Sequence, residues 1–95
     1  MTYSKSILQD DTSCCIICGR YGTEIHHVIY GSANRKLSDK YGLVVGLCYD
    51  HHRGRFGVHN CNKELDMKLK KMAQVRFNEV YENEDFKVIF GKNYL

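Results

Sequence analysis

Five Cys and five His, all between Cys14 and Cys61, stand in one half of a chain of 95 residues, and the last third has none. That clustering constrains the fold more than any other feature, because thiolates and imidazoles are the ligands of zinc-like metals. Cys15-Ile16-Ile17-Cys18 is a knuckle in which one tight turn offers two thiolates to one ion, and Gly19 beside it can take positive φ. Structural zinc needs four ligands, so a second pair must come from a distant segment. Cys48-Tyr49-Asp50-His51 repeats the same gap. The expectation is a structural Zn2+ held by Cys15, Cys18, Cys48 and His51, with His52 open as the fourth ligand instead, and Cys14 open in place of Cys15. An odd cysteine count without a secretory pattern argues against a disulfide framework. A metal staple also suits a chain this short, whose core alone is modest.

The remaining pattern reads as one α+β domain over residues 1–95. Residues 1–13 read as a polar, poorly ordered start. Residues 23–30, with Ile25, Val28, Ile29 and Tyr30, suit a strand, and residues 43–48 suit a second one. Gly31 to Lys40 reads as a polar connection, which makes the pair a hairpin with a long loop. His51 to Asn60 reads as loop or a distorted helix start. Beyond it Leu65, Leu69, Met72, Ala73, Phe77 and Val80 recur at three- and four-residue steps opposite a Lys-rich face. That predicts an amphipathic helix of about five turns, capped by Asn60 or Asn62. A last short helix is expected from an Asn83 cap to a Gly91 stop. No apolar run is as long as a membrane span, and the expectation is a soluble, cytoplasmic protein. The net charge is only +3, a weak pull toward a polyanion.

Zinc alone leaves several His unexplained. His26 and His27 are adjacent on a predicted strand, so their side chains point to opposite faces, one free to bind a metal and the other to act as a base. His52 and His59 follow the second strand and are expected to converge on the same place. A divalent metal stabilises charge building at a phosphodiester, and a neutral His can take a proton from water near neutral pH.

Taken together, Cys15-x-x-Cys18, Ile25-His26-His27-Val28, Gly46-Leu47-Cys48-Tyr49-Asp50-His51-His52 and Gly57-Val58-His59-Asn60 resemble the HNH endonuclease family, and the ending Phe90-Gly91-Lys92-Asn93-Tyr94-Leu95 is similar to small phage-type members related to recombination-enhancement nucleases. The resemblance implies a ββα-metal (HNH/His-Me finger) domain with a zinc knuckle and C-terminal helices. It implies hydrolysis of DNA to 5′-phosphate and 3′-hydroxyl ends, in a bacterial cytoplasm and with phage or prophage encoding. His27 takes the place of the general base and His26 and His52 those of ligands to a catalytic divalent metal, with His59 a further ligand to that metal or a phosphate contact. An all-imidazole ligand set favours Zn2+, Ni2+, Co2+ or Mn2+, whereas water filling most positions around His26 would admit Mg2+. Where the family has an Asn opening the second strand this chain has Leu43. Asn34 or a backbone carbonyl is left to orient the base.

Arg20, Arg35, Lys36, Arg53 and Arg55 lie around these motifs as candidate phosphate contacts, with Phe56 beside them as a stacking or wedging aromatic. A solvated surface is the plainer role for any single one. The partner expected is DNA, with a homodimer compatible with a nuclease this small. Two other readings stay open: a non-catalytic zinc-binding DNA module, and a degenerate HNH fold serving as a protein adaptor.

Overall fold

The computed structural model describes residues 6–31, 33–55, 57–60 and 62–95. Phe56 and Cys61, named above, lie outside the described residues.

Two short strands, β1 (Glu24–His27) and β2 (Val44–Leu47), pair antiparallel with Glu24 opposite Leu47 and His27 opposite Val44. Every residue of β2 is buried, while β1 carries the polar side chains. β2 therefore forms the inner wall, while on β1 His26 is buried and Glu24, Ile25 and His27 are half-buried. Val28 extends the pairing by donating its N–H to the Leu43 carbonyl.

The connection between the strands is not a plain loop. It contains α1 (Asn34–Tyr41), closed by Gly42 at φ 74°. That left-handed conformation suits glycine and lets its N–H reach the helix's last carbonyls. The helix docks through Ser38, whose hydroxyl donates to the Ile29 carbonyl, and through the buried Tyr41.

A single turn, α2 (Tyr49–His52), follows β2 directly. Next comes α3 (Lys63–Val80), in which the Asn62 side chain accepts from the Leu65 N–H. Asn62, not Asn60, is thus the cap, and the 18-residue length matches the five turns expected from the periodicity. Leu69, Ala73 and Phe77 are buried, while Val80 at the end of the stripe is exposed. α4 (Phe86–Phe90) starts two residues later than Asn83 would allow, on Asp85, and stops at Gly91 as expected. Phe77 stacks against Phe86, Tyr81 and Tyr41, so the aromatic cluster joins α1, α3 and α4.

The segment before the knuckle is also more tied down than its composition suggests. Ile7 and Leu8 pack on the core. The Ser6 hydroxyl donates to the Val44 carbonyl, Ile7 N–H donates to Gly42, and Arg76 holds the Ile7 carbonyl. Residues 1–5 lie outside the described residues. The result is a small mixed α+β fold in which β1, the end of β2 and α2 bring the Cys and His residues together. Among the described residues no helix is long and apolar enough to cross a membrane.

Candidate metal centres and cleft

The knuckle is built by local backbone bonds. Gly19 N–H donates to the Cys15 carbonyl, Cys15 N–H to the Arg20 carbonyl, and Gly19 sits at φ 78°. Ile16 N–H then donates to the Gly46 carbonyl, which pins the knuckle to β2 two residues before Cys48. At Gly46 an added Cβ would collide with the Thr12 carbonyl, so this close approach requires glycine. α2 then turns His51 back toward Cys48.

Cys15, Cys18, Cys48 and His51 consequently converge, with ligand atoms all within 4.8 Å of one another. The Cys18 and Cys48 Sγ atoms are 3.7 Å apart, and His51 Nδ1 lies 3.2 Å from Cys48 Sγ and 3.7 Å from Cys15 Sγ. Zn–S bonds of about 2.3 Å at tetrahedral angles put two thiolates about 3.8 Å apart, and a thiolate and an imidazole nitrogen about 3.6 Å apart. The group therefore has the dimensions of a zinc tetrahedron. Burial works against the Cys15 thiolate, but backbone N–H donors from Cys48, Cys18 and Ile17 outweigh it and bring its pKa down to about 6. A thiolate at neutral pH is the form a metal needs. The two open alternatives close here. Cys14 Sγ turns to Asp11 instead, and His52 belongs to a different cluster.

That second cluster is His26, His52 and His59, whose ligand atoms also lie within 4.8 Å of one another. His26 comes from β1, His52 from the end of α2, and His59 from the turn before α3. Their rings meet at centroid distances of 5.2, 5.1 and 4.7 Å. His59 N–H donates to the His52 carbonyl and Val58 N–H to that of His51, which folds the 57–60 turn back onto α2. His26 is 2% exposed, and its Nε2 is a buried polar atom with no hydrogen-bond partner. Such an atom is costly unless something satisfies it, and a cation facing three imidazoles would do so. Burial, reinforced by His52 and His59, pulls the His26 pKa down to about 3, so this ring is neutral and its lone pair is available.

Glu24, two residues before His26 on β1, braces this cluster. Its Oε1 is 2.7 Å from His52 Nδ1, and Arg53 grips both carboxylate oxygens, with Nε at 3.0 Å from Oε1. Arg53 and then His52 draw the Glu24 pKa down to about 2.

The cleft in front of the triad encloses about 470 Å3 and is lined by His26, His27, His52, His59, Tyr30 and Arg35, among others. His26 and His27 thus face one cleft, although adjacent strand positions predict opposite faces. His27 nevertheless keeps its ladder position opposite Val44, with its ring held by Asp39. His27 Nε2 is 2.8 Å from Asp39 Oδ1, a carboxylate supplied by α1. On the far wall Tyr30 donates to Asp66 Oδ2 at 3.0 Å, and Lys70 reaches the same oxygen at 2.9 Å.

Several expected roles shift. Asn34 does not reach His27: its side-chain amide donates to the Phe90 carbonyl, tying α1 to α4. Leu43 is fully buried, and its carbonyl accepts from the Val28 N–H. Asp39 holds His27 instead. Among the candidate phosphate contacts only Arg35 lines the cleft, on its rim. Lys36 is exposed on α1 and Arg55 is exposed beyond α2. Arg20 pairs with Asp50 at 3.2 Å beside the thiolates, and Arg53 is committed to Glu24. Glu24 was detectable as the residue two before His26 on the same strand face. No sequence signal links Asp39 to His27, because only the folding of α1 brings them together.

No protein-family model matches the chain, and no curated protein or solved structure matches it either.

Proposed function

We propose that the chain is a metal-dependent endonuclease of the HNH, ββα-metal type, hydrolysing DNA phosphodiester bonds. The observation that carries this is the orphaned Nε2 of His26 at the centre of a three-imidazole cluster, in a cleft that His27 and Arg35 share. The antiparallel β1–β2 pair followed directly by α2 supports that reading, although α1 interrupts the connection between the strands, and the motifs quoted above support it too. The Cys15, Cys18, Cys48 and His51 site is structural in this account and holds the knuckle against β2.

The His26, His52 and His59 donor set suits a borderline divalent ion (Zn2+, Ni2+, Co2+ or Mn2+) better than Mg2+. When bound, that ion would polarise the scissile phosphate and stabilise the leaving oxygen. The chain's own residues do the rest. Asp39 holds the His27 ring through Nε2, and His27 takes the proton of the attacking water. Arg35 at the cleft rim neutralises a phosphate of the bound strand. Burial keeps His26 neutral.

The test is cleavage of supercoiled plasmid by protein carrying tetrad zinc and resupplied with Mn2+, Ni2+, Co2+ or Mg2+. Metal-dependent nicking that His27→Ala abolishes supports the reading. Salt-sensitive DNA binding without cutting in any metal points to the zinc-binding DNA module instead, and absence of both to the adaptor.

A further inference from the structure

His52 is joined at its two ends to different things. Its Nδ1 contacts Glu24, and the ring's other edge packs against His26 and His59. Glu24 receives two N–H groups from Arg53, one on each oxygen. A carboxylate held in this way is ionised and accepts only, so the hydrogen in its 2.7 Å bond to His52 must sit on Nδ1. With Nδ1 carrying that hydrogen, the nitrogen of His52 left for an ion beside His26 and His59 is Nε2. The arrangement is economical in sequence. Glu24 and His26 share a face of β1, and His52 and Arg53 are consecutive at the end of α2.

We infer that Glu24, clamped by Arg53, is a positioning residue that sets the tautomer and orientation of His52 for an ion held by His26, His52 and His59, and that Arg53 serves this site and not a DNA phosphate. The inference rests on the proposed metal-binding role of the triad. A carboxylate or carbonyl behind a ligating imidazole raises its basicity and fixes its ring, and its loss typically costs about 10- to 100-fold in metal affinity.

The experiment uses protein whose Cys site is filled with zinc, titrated with Co2+ and followed by visible d–d absorption. Wild type is expected to take up one Co2+ without the thiolate charge-transfer band that marks the Cys site. Glu24→Ala should weaken that binding by about 10- to 100-fold. Glu24→Gln, which still accepts from Nδ1–H, should recover part of the loss. Arg53→Ala should weaken Co2+ binding while leaving the salt dependence of DNA affinity unchanged. Retained zinc in each variant shows that the chain is still folded. The 15N shifts of His52 should report the Nδ1–H tautomer in wild type and a mixture in Glu24→Ala. Wild-type protein that binds no Co2+ beyond its zinc overturns the triad's metal role and the inference with it. Co2+ binding by Glu24→Ala at wild-type affinity overturns the inference alone. So does an Arg53→Ala variant that binds Co2+ normally but shows a shallower salt slope on DNA.

Discussion

His27 on the last position of β1 lies 2.8 Å, Nε2 to Oδ1, from Asp39 on α1. The helix that was not expected between the strands thus supplies the carboxylate that the missing Asn and the displaced Asn34 do not. Proton transfer by a positioned base contributes about 100- to 10,000-fold to a reaction. On the proposed nuclease reading, Asp39→Asn should therefore lower kcat by at least about tenfold with little change in KM, since it would disturb the proposed base and not the proposed phosphate contact. Asn34→Ala should leave kcat near wild type and cost only stability, through the lost bond to Phe90. Steady-state kinetics on a nicked-plasmid assay separate the two, and an Asp39→Asn enzyme with wild-type kcat would remove the dyad from the account.

Zinc removal has a structural consequence. The four ligands come from the knuckle and from the β2–α2 junction, which only the fold brings together. Chelation, or Cys15→Ser, should lose the ion and unfold the hairpin, because zinc binding to such a site contributes directly to folding free energy. Cys14→Ser should keep zinc and fold, since Cys14 contacts Asp11 and not the tetrad. Zinc content and far-UV circular dichroism read both outcomes. Equal zinc loss from Cys14→Ser and Cys15→Ser would contradict the assignment of the knuckle.

Burial of His26 makes stability depend on pH in a defined direction. Its pKa falls from 6.5 to about 3 on folding, mainly through burial. Above 6.5 neither folded nor unfolded chain holds that proton. Below 6.5 the unfolded chain binds it and the folded chain does not, so stability falls as pH drops from 6.5 toward 3. Between about pH 6.5 and 5, His26→Leu should lose less stability than wild type in urea titrations, as the slope set by one buried group disappears. Parallel losses in the two proteins would show that His26 titrates freely in the fold.

Gly57 fixes the return of the 57–60 turn onto α2. An added Cβ there would stand 2.6 Å from both the carbonyl carbon and the oxygen of His52. Gly57→Ala must push His59 away from His52. It should reduce nicking strongly while leaving tetrad zinc in place, and a variant of wild-type activity would show that the triad tolerates the displacement.

The tetrad and the long helix were legible in the sequence because each is written at short range. Cys15-x-x-Cys18 and Cys48-x-x-His51 place ligands within single turns, and Leu69, Ala73 and Phe77 keep a helical period. α1 was not legible, since Leu37 and Tyr41 are its only large apolar residues and much of its length is charged. The Ser6–Ser13 segment reads as free because its anchoring runs through backbone groups and the polar side chains of Ser6 and Gln9, with only Ile7 and Leu8 apolar. The triad was anticipated as a set of residues, but its braces were not. Glu24 and Asp39 become partners of His52 and His27 only after β1, α1 and α2 are assembled, and a carboxylate's destination has no periodicity to reveal it.

Anomalous diffraction from crystals grown with Mn2+ or Ni2+ after zinc loading tests the central claim most directly. The account predicts one zinc peak among Cys15, Cys18, Cys48 and His51 and a second peak, of the added metal, bonded to His26, His52 and His59. A single peak at the cysteines, with the His26 ring left facing no ion at saturating metal, would contradict it.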